Sequence, residues 1–330
     1  MRIGILSAAV AALGFLVVSC QGNDKIIVRV ADVWSPSHPI ARAIDEVFKP
    51  QVEGQSEGAI SVEVYHSGTL GNEQTLWDSV RNGVVEMVVV GSVMNSEYRP
   101  MLISDWPFLY RDIHHARNVW TGSFSADFID GFNAFFPAVK LLAVGPNSAR
   151  TFTSNRPLTN AADFRGQRFR VPQNPIHTGL VTDLGASAQV VPLNDLFNAL
   201  QTKVVDGQDN GMVTVLSENL NEVQSYLLET NHIVATMNLI INTQFIERLS
   251  PEHQAIIRDA AREAAIWAWD EYIKSIDADR LTLINSGMTV TPLSGTDRDA
   301  ILAAIQPTLN RLYSENAWAR ELTDKARNVQ

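Results

Sequence analysis

The sequence predicts an α/β protein built as two domains that share one long helix. Three observations carry that expectation. Strand-like and helix-like segments alternate from residue 26 to residue 90, the pattern of a doubly wound α/β unit. The last of these, Val84 to Val90, is a nearly unbroken apolar run suited to a strand covered on both faces. Apolar and alanine residues then keep a helical period from Pro251 to about Ile284. More than ~30 residues at ~1.5 Å each is close to ~50 Å, longer than one small domain.

The chain has 330 residues, enough for two domains with full cores. Hydrophobic residues make up 45% and charged residues 19%, which is globular rather than disordered. The net charge of −10 argues against a general affinity for nucleic acid. In so acidic a chain, a site for an anion needs a local basic cluster, so arginine positions carry information. A single cysteine, Cys20, rules out an intrachain disulfide and a cysteine-based metal site.

Residues 1–20 read as a signal peptide. Arg2 starts a short positive region, and Ile3 to Val18 is apolar or small throughout, too short to span a membrane comfortably. The segment ends V-V-S-C-Q, similar to a bacterial lipoprotein cleavage box, with Cys20 as the lipidated first residue. Ordinary signal cleavage nearby is the alternative. The chain is expected to be exported, in the periplasm, and tethered through Cys20 if it is anchored at all.

The elements follow in order. Ile26 to Val33 is a first strand, and Trp34 to Pro39 is a proline-punctuated loop at its C-terminal end. Ile40 to Phe48 has a helical period, and Ala59 to Tyr65 alternates as a second strand. Asn72 can cap a helix running to Asn82 that Gly83 stops. A helix carries His114 and His115; adjacent positions point about 100° apart, so they make a poor metal pair and read as surface or capping residues. Val139 to Val144 is a buried strand that Gly145-Pro146-Asn147-Ser148 is expected to break, as the crossing into the second domain. Thr151 to Ser154 is a further strand. Gln189 to Val191 is another, and Asn194 can cap the helix after it. In V-V-D-G-Q-D-N a short strand meets Gly207, and Asn210 is delivered at the end of a turn. Leu239 to Asn242 reads as a strand returning to the first domain, and Ser250 with Pro251 opens the long helix. Helices from Asp299 close the chain.

The candidate site centres on F-R-G-Q-R-F-R-V-P-Q-N-P, Phe164 to Pro175. Gly166 permits a tight turn. Phe169 and Val171 then face one way and Arg168 and Arg170 the other, and Pro172 stops the strand because it has no N–H to donate. A guanidinium therefore sits near the C-terminal end of a strand, where open α/β sheets place their ligands. Its planar fork matches a carboxylate two bonds at a time. Arg170 is thus expected to hold a small carboxylate; an ordinary surface ion pair is the competing reading.

These segments, in this order, resemble the substrate-binding subunits of tripartite ATP-independent periplasmic (TRAP) transporters. The marks are S-P-x-H-P at Ser35, S-G-x-L-G-x-E at Ser67, D-W-P-F-L-Y-R-D at Asp105 and D-F-R-G-Q-R-F-R-V-P at Asp163. They continue with L-G-A-S at Leu184, A-L-Q-T-K-V-V-D-G-Q-D-N at Ala199, T-N-H at Thr230 and the Leu-Ser-Pro-Glu helix start at Leu249. The resemblance implies a two-lobed periplasmic binding protein of type II-like form, each lobe a mixed sheet flanked by helices, closing over an organic acid. The lobes would be 25–146 with 236–270, and 147–235 with 271–330, sharing a helix at about 251–286. The family's central arginine falls at Arg170, its second at Arg150, and its polar pocket residue at Asn210. Pro172 with Gln173 lies in a segment that varies with ligand, and Leu193 stands where many relatives carry Phe. The rest of the wall would come from Trp34, Ser35, Asn72, Gly91 and Ser92.

The implied function is capture of a small organic carboxylate and delivery to the small and large membrane subunits of a TRAP transporter, with no cofactor and no catalysis. C4-dicarboxylates, 2-oxo acids, sugar acids and pyroglutamate all stay open. The alternatives are an exported enzyme acting on acidic sugars, or a binding subunit of an ATP-driven importer or a sensor. The sequence holds no G-x-S-x-G, no H-E-x-x-H and no phosphate loop to support the enzyme. His38 and His177 lie near the proposed cleft loops, but His38 is better explained by turn structure.

Overall fold

A computed structural model describes residues 25–330; the segment 1–20 that reads as a signal peptide, with Cys20, lies outside them. Two sheets organise the chain. The first contains β1 (Ile26–Asp32), β2 (Ile60–Tyr65), β3 (Met87–Val90), β4 (Val139–Ala149) and β10 (Val234–Asn242), in the order β2-β1-β3-β10-β4. β1, β2 and β3 are parallel, and β10 runs antiparallel to both its neighbours. The second contains β5 (Thr151–Ser154), β6 (Arg168–Val171), β7 (Ser187–Val190), β8 (Gly207–Asn210), β9 (Tyr226–Glu229) and β11 (Thr289–Pro292), in the order β11-β9-β5-β8-β6-β7. Helices flank both sheets, as expected of an α/β chain of two lobes.

The strand at 139 does not stop at Gly145-Pro146. It runs to Ala149, and the register against β10 slips between Ala235 and Thr236, leaving Asn147 unpaired as a bulge. A bulge absorbs the N–H that Pro146 lacks. Gly145 serves packing: a Cβ there would lie 2.6 Å from Ile40 Cδ1. The crossing between sheets comes later, at Arg150, the one residue between β4 and β5. Its N–H donates to the carbonyl of Ile233, just before β10, at 2.7 Å.

The 204–210 segment also differs from expectation. Its strand is Gly207–Asn210, which places Asn210 in β8, opposite Thr151, and not in a turn. Gly207 makes that possible, because a Cβ there would stand 2.4 Å from the Thr153 carbonyl and 2.6 Å from the Phe169 ring. The helix after β7 starts at Leu193 behind Pro192, so Asn194 is not its cap.

Pro251–Asn285 forms a single helix, and Ser250 Oγ accepts from the His253 N–H at its start. Ala260, Ala261, Ala264, Ala265 and Ala268 are buried along it, and their small size lets it lie close to β4. Trp269 Nε1 donates to the Val144 carbonyl, and the Tyr272 hydroxyl accepts from the Ala149 N–H at 2.6 Å. Further along, Arg280 pairs with Glu229 of β9 at 3.0 Å. The helix therefore runs along both sheets. The last helix, Ala319–Arg327, packs on the first half rather than the second: Arg111 donates to the carbonyls of Arg327 and Val329. His115 is part of that seam and is buried, not a surface residue. Its Nδ1 accepts from the Arg111 N–H, and its Nε2 meets the Ala326 carbonyl at 3.1 Å. No helix of the described residues is long and apolar enough to cross a membrane.

Candidate functional site

β6 is built as its alternation predicts. Phe169 and Val171 are fully buried, Phe169 against Phe152 and Phe164. Arg168 faces out and pairs with Asp206 at 2.8 Å. Arg170 faces a cleft between the two sheets and is 3% exposed. Its Nε donates to the Val191 carbonyl at 2.7 Å. Among the described residues, its two terminal nitrogens have no hydrogen-bond or ion-pair partner. Burial, together with the nearby charge of Arg150, lowers its pKa to about 10. A buried guanidinium with both terminal groups uncommitted is costly unless something anionic arrives.

Arg170 lines a cavity between the two sheets. Arg150, Asn210, Pro172, Gln173, Trp34, Gly91, Ser92 and Leu193 line it as well. Two candidates do not. Ser35 turns its N–H to Glu218 and its hydroxyl to Ser37. Asn72 caps the helix Glu73–Arg81, its Oδ1 accepting from Thr75, and borders only an adjoining chamber. Both are drawn into local turn and cap bonds, which Ser and Asn make readily. His38 likewise caps the helix at Pro39, and burial depresses its pKa to about 3.

Arg150 lines the cavity but its fork is partly taken. Nε donates to Asp209 Oδ1 at 2.7 Å, and a terminal nitrogen donates to the Asp209 carbonyl. Asp209, in β8, is fully buried. Burial alone would raise its pKa, but the charges of Arg150, His177 and His232 hold it well below the usual carboxylate range.

Glu73 and Asp105, which sequence reasoning missed, and His177, which it placed only near the cleft loops, line the cavity as well. Asp105 is the last residue of a 3-10 turn from the first half. Its Oδ2 accepts from Ser92 Oγ at 2.5 Å and from Asn174 Nδ2 at 2.9 Å. His177, on the helix Pro175–Asp183, stands between two carboxylates: Nδ1 is 2.6 Å from Asp209 and Nε2 is 3.4 Å from Asp105. Burial pushes its pKa down, but Asp209 and Asp105 outweigh that and the net shift is upward. Asp105 shifts down, because His177 and the Ser92 hydroxyl offset its burial. Asn174 and His177 belong to the second half and Ser92 and Asp105 to the first, so these bonds tie the halves together. Glu73 borders both chambers, its Oε1 accepting from the Gly91 N–H at 2.6 Å, and burial raises its pKa. Glu73, Asp105 and Asp209 each sit inside a segment quoted above, yet nothing in their local pattern distinguishes them from surface acids.

No cluster of three or more His, Cys, Asp or Glu among the described residues could hold a metal ion. Of the acids and the imidazole that line the cavity, Asp105 and His177 are engaged with one another, and Asp105 also accepts from Ser92 and Asn174.

The bacterial extracellular solute-binding proteins of family 7 (DctP) match residues 30–316. The 2,3-diketo-L-gulonate-binding periplasmic protein YiaO of Escherichia coli K12 is 27% identical over 78% of this chain and 78% of its own. The C4-dicarboxylate-binding periplasmic protein DctP of Rhodobacter capsulatus is 25% identical over 74% and 73%. In three dimensions the chain is similar to a TRAP periplasmic solute-binding protein from Haemophilus influenzae with bound L-gulonate. The TM-score is 0.88 at 26% identity, covering 93% of this chain and 100% of the other.

Proposed function

This chain belongs to bacterial extracellular solute-binding protein family 7, and we propose that Arg170 receives the carboxylate of a small organic acid in its cleft. The acid is captured in the periplasm and handed to the membrane subunits of a TRAP transporter. The observation that carries this reading is the uncommitted fork of Arg170, buried at the end of β6 with only its Nε engaged. Charge-assisted bonds of this kind contribute ~1.5–3 kcal/mol each. Exclusion of water as the halves close strengthens them, and the ligand shifts the open–closed equilibrium only by binding the closed form better. Asn210, Gln173 and Trp34 would orient the remainder of the molecule. Arg150 contributes by position more than by a free fork.

In this reading the lobes divide at Arg150 and again just before β10, with the final helix against the first lobe. The protein acts without catalysis, and Cys20 carries a lipid that keeps it at the membrane; mass spectrometry of membrane-extracted protein checks the lipid.

The test is a panel of organic acids followed by differential scanning fluorimetry and calorimetry. A binder raises the melting temperature of this protein and returns the acid chemically unchanged. No shift with any carboxylate would overturn the proposal, and conversion of the acid would point to an enzyme.

A further inference from the structure

The charges lining the cavity sort its ligands, provided the carboxylate-capture reading above holds. Five ionisable side chains line it: Glu73, Asp105, Arg150, Arg170 and His177. Three of them are already answered by protein. Arg150 is held by Asp209, and His177 lies between Asp209 and Asp105. Asp105 takes further donations from Ser92 and Asn174. Two remain. Arg170 has its terminal nitrogens free, and Glu73 has only a backbone N–H on one carboxylate oxygen, with no ion-pair partner among the described residues. The cavity therefore presents one available cation and one available anion. Two cavity-lining residues also bear buried neutral polar atoms without a hydrogen-bond partner among the described residues, Trp34 Nε1 and Thr236 Oγ1.

A ligand that fits this distribution carries one negative charge and, away from it, neutral donors and acceptors. We infer that the solute is a hydroxylated monocarboxylate, of the sugar-acid class, with its carboxylate on Arg170 and its hydroxyl donors on Glu73. Glu73 then also discriminates. A second carboxylate on the ligand would have no second free guanidinium and would meet the Glu73 carboxylate in a closed, water-poor space, where like charges repel strongly. Specificity of this kind comes from the penalty on the wrong ligand as much as from contacts to the right one. Arg150 relieves that penalty only by giving up its bonds to Asp209, which leaves that buried carboxylate to the imidazoles of His177 and His232 alone.

The experiment pairs each monoacid with its two-ended counterpart: D-galactonate with galactarate, and D-gluconate with D-glucarate, plus L-malate and succinate, all by isothermal calorimetry. The tightest monocarboxylate is expected to bind at least ~tenfold more tightly than the tightest dicarboxylate, about 1.4 kcal/mol. Glu73→Gln should shrink that ratio severalfold by improving the dicarboxylate, and Arg170→Ala should weaken both members of each pair. A dicarboxylate that binds as tightly as the best monoacid, or a ratio untouched by Glu73→Gln, overturns this inference and leaves carboxylate capture standing. Failure of every acid in the panel overturns capture itself.

Discussion

The Nε of Arg170 donates to the main-chain carbonyl of Val191 at 2.7 Å, across from β6 to the segment that leaves β7. That bond fixes the plane of the guanidinium and leaves its outer edge for a ligand. Arg170→Ala is expected to cost ~2–5 kcal/mol of affinity for the best acid in the panel, because the carboxylate would be enclosed without its partner. Arg170→Lys should also bind more weakly, since an ammonium can neither hold Val191 in that plane nor offer two parallel bonds. Calorimetry decides; a loss below tenfold for the alanine variant, or wild-type affinity for the lysine variant, rejects the bidentate geometry.

Arg150 should behave differently. Its partner Asp209 is buried and depends on it, so Arg150→Ala is expected to lower the stability of the ligand-free protein by ~3–5 kcal/mol. Arg170→Ala removes a buried cation that has no ion-pair partner among the described residues, and should leave ligand-free stability unchanged or higher. Urea unfolding of the two variants side by side checks this. Equal losses would show that Arg170 has a structural partner in solution.

His177 predicts a pH dependence with a definite sign. Its folded pKa lies above the ordinary histidine value, so the folded state holds the proton more tightly than the unfolded chain. That stabilisation is complete below about 6.5 and fades as pH rises through the folded value. Asp209 and Asp105 shift the other way, and their contribution is present above about 3.8 and fades as pH falls through their lowered values. Arg150 and His232 also face Asp209, so the comparison must be with His177→Gln. The stability gap between wild type and this variant should narrow as pH is raised above about 6.5. Urea unfolding across a pH series measures the gap, and a constant or widening one contradicts the assignment.

Gly207→Ala tests the close approach that seats β8. The added methyl would overlap the Thr153 carbonyl, which is backbone and cannot turn aside. A loss of at least ~1–3 kcal/mol is expected, read from the urea midpoint. It should come with weaker acid binding, because Asp209 and Asn210 ride on the same strand. Wild-type stability would mean that β8 sits farther from β5 than described.

The sequence made β1, β2, β6 and the 251–285 helix legible, because alternation, helical period and the Ser250-Pro251 start are local signals. It also placed Arg170 correctly on the inward face of β6 opposite its apolar neighbours. β4 was misread at Gly145-Pro146, since the register slip that accommodates the proline is a property of the β4–β10 pair and invisible in either strand alone. Asn210 is expected at the end of a turn, whereas it lies within β8, because the close approach of Gly207 to Thr153 is a contact between strands that the local pattern does not show. Ser35 and Asn72 were assigned to the cleft on proximity in sequence, and their side chains went to nearer partners. Glu73 and Asp105 stay hidden, and His177 shows only as a neighbour of the cleft loops, for a related reason: the groups that define them come from other elements of the fold.

Asn174 and His177 of one half reach Ser92 and Asp105 of the other. These bonds belong to the protein alone and lie beside the cavity, so they favour the joined arrangement of the halves whatever acid is bound. A solute then has to supply only the remainder of the closing free energy, and acids of differing shape can meet that smaller demand.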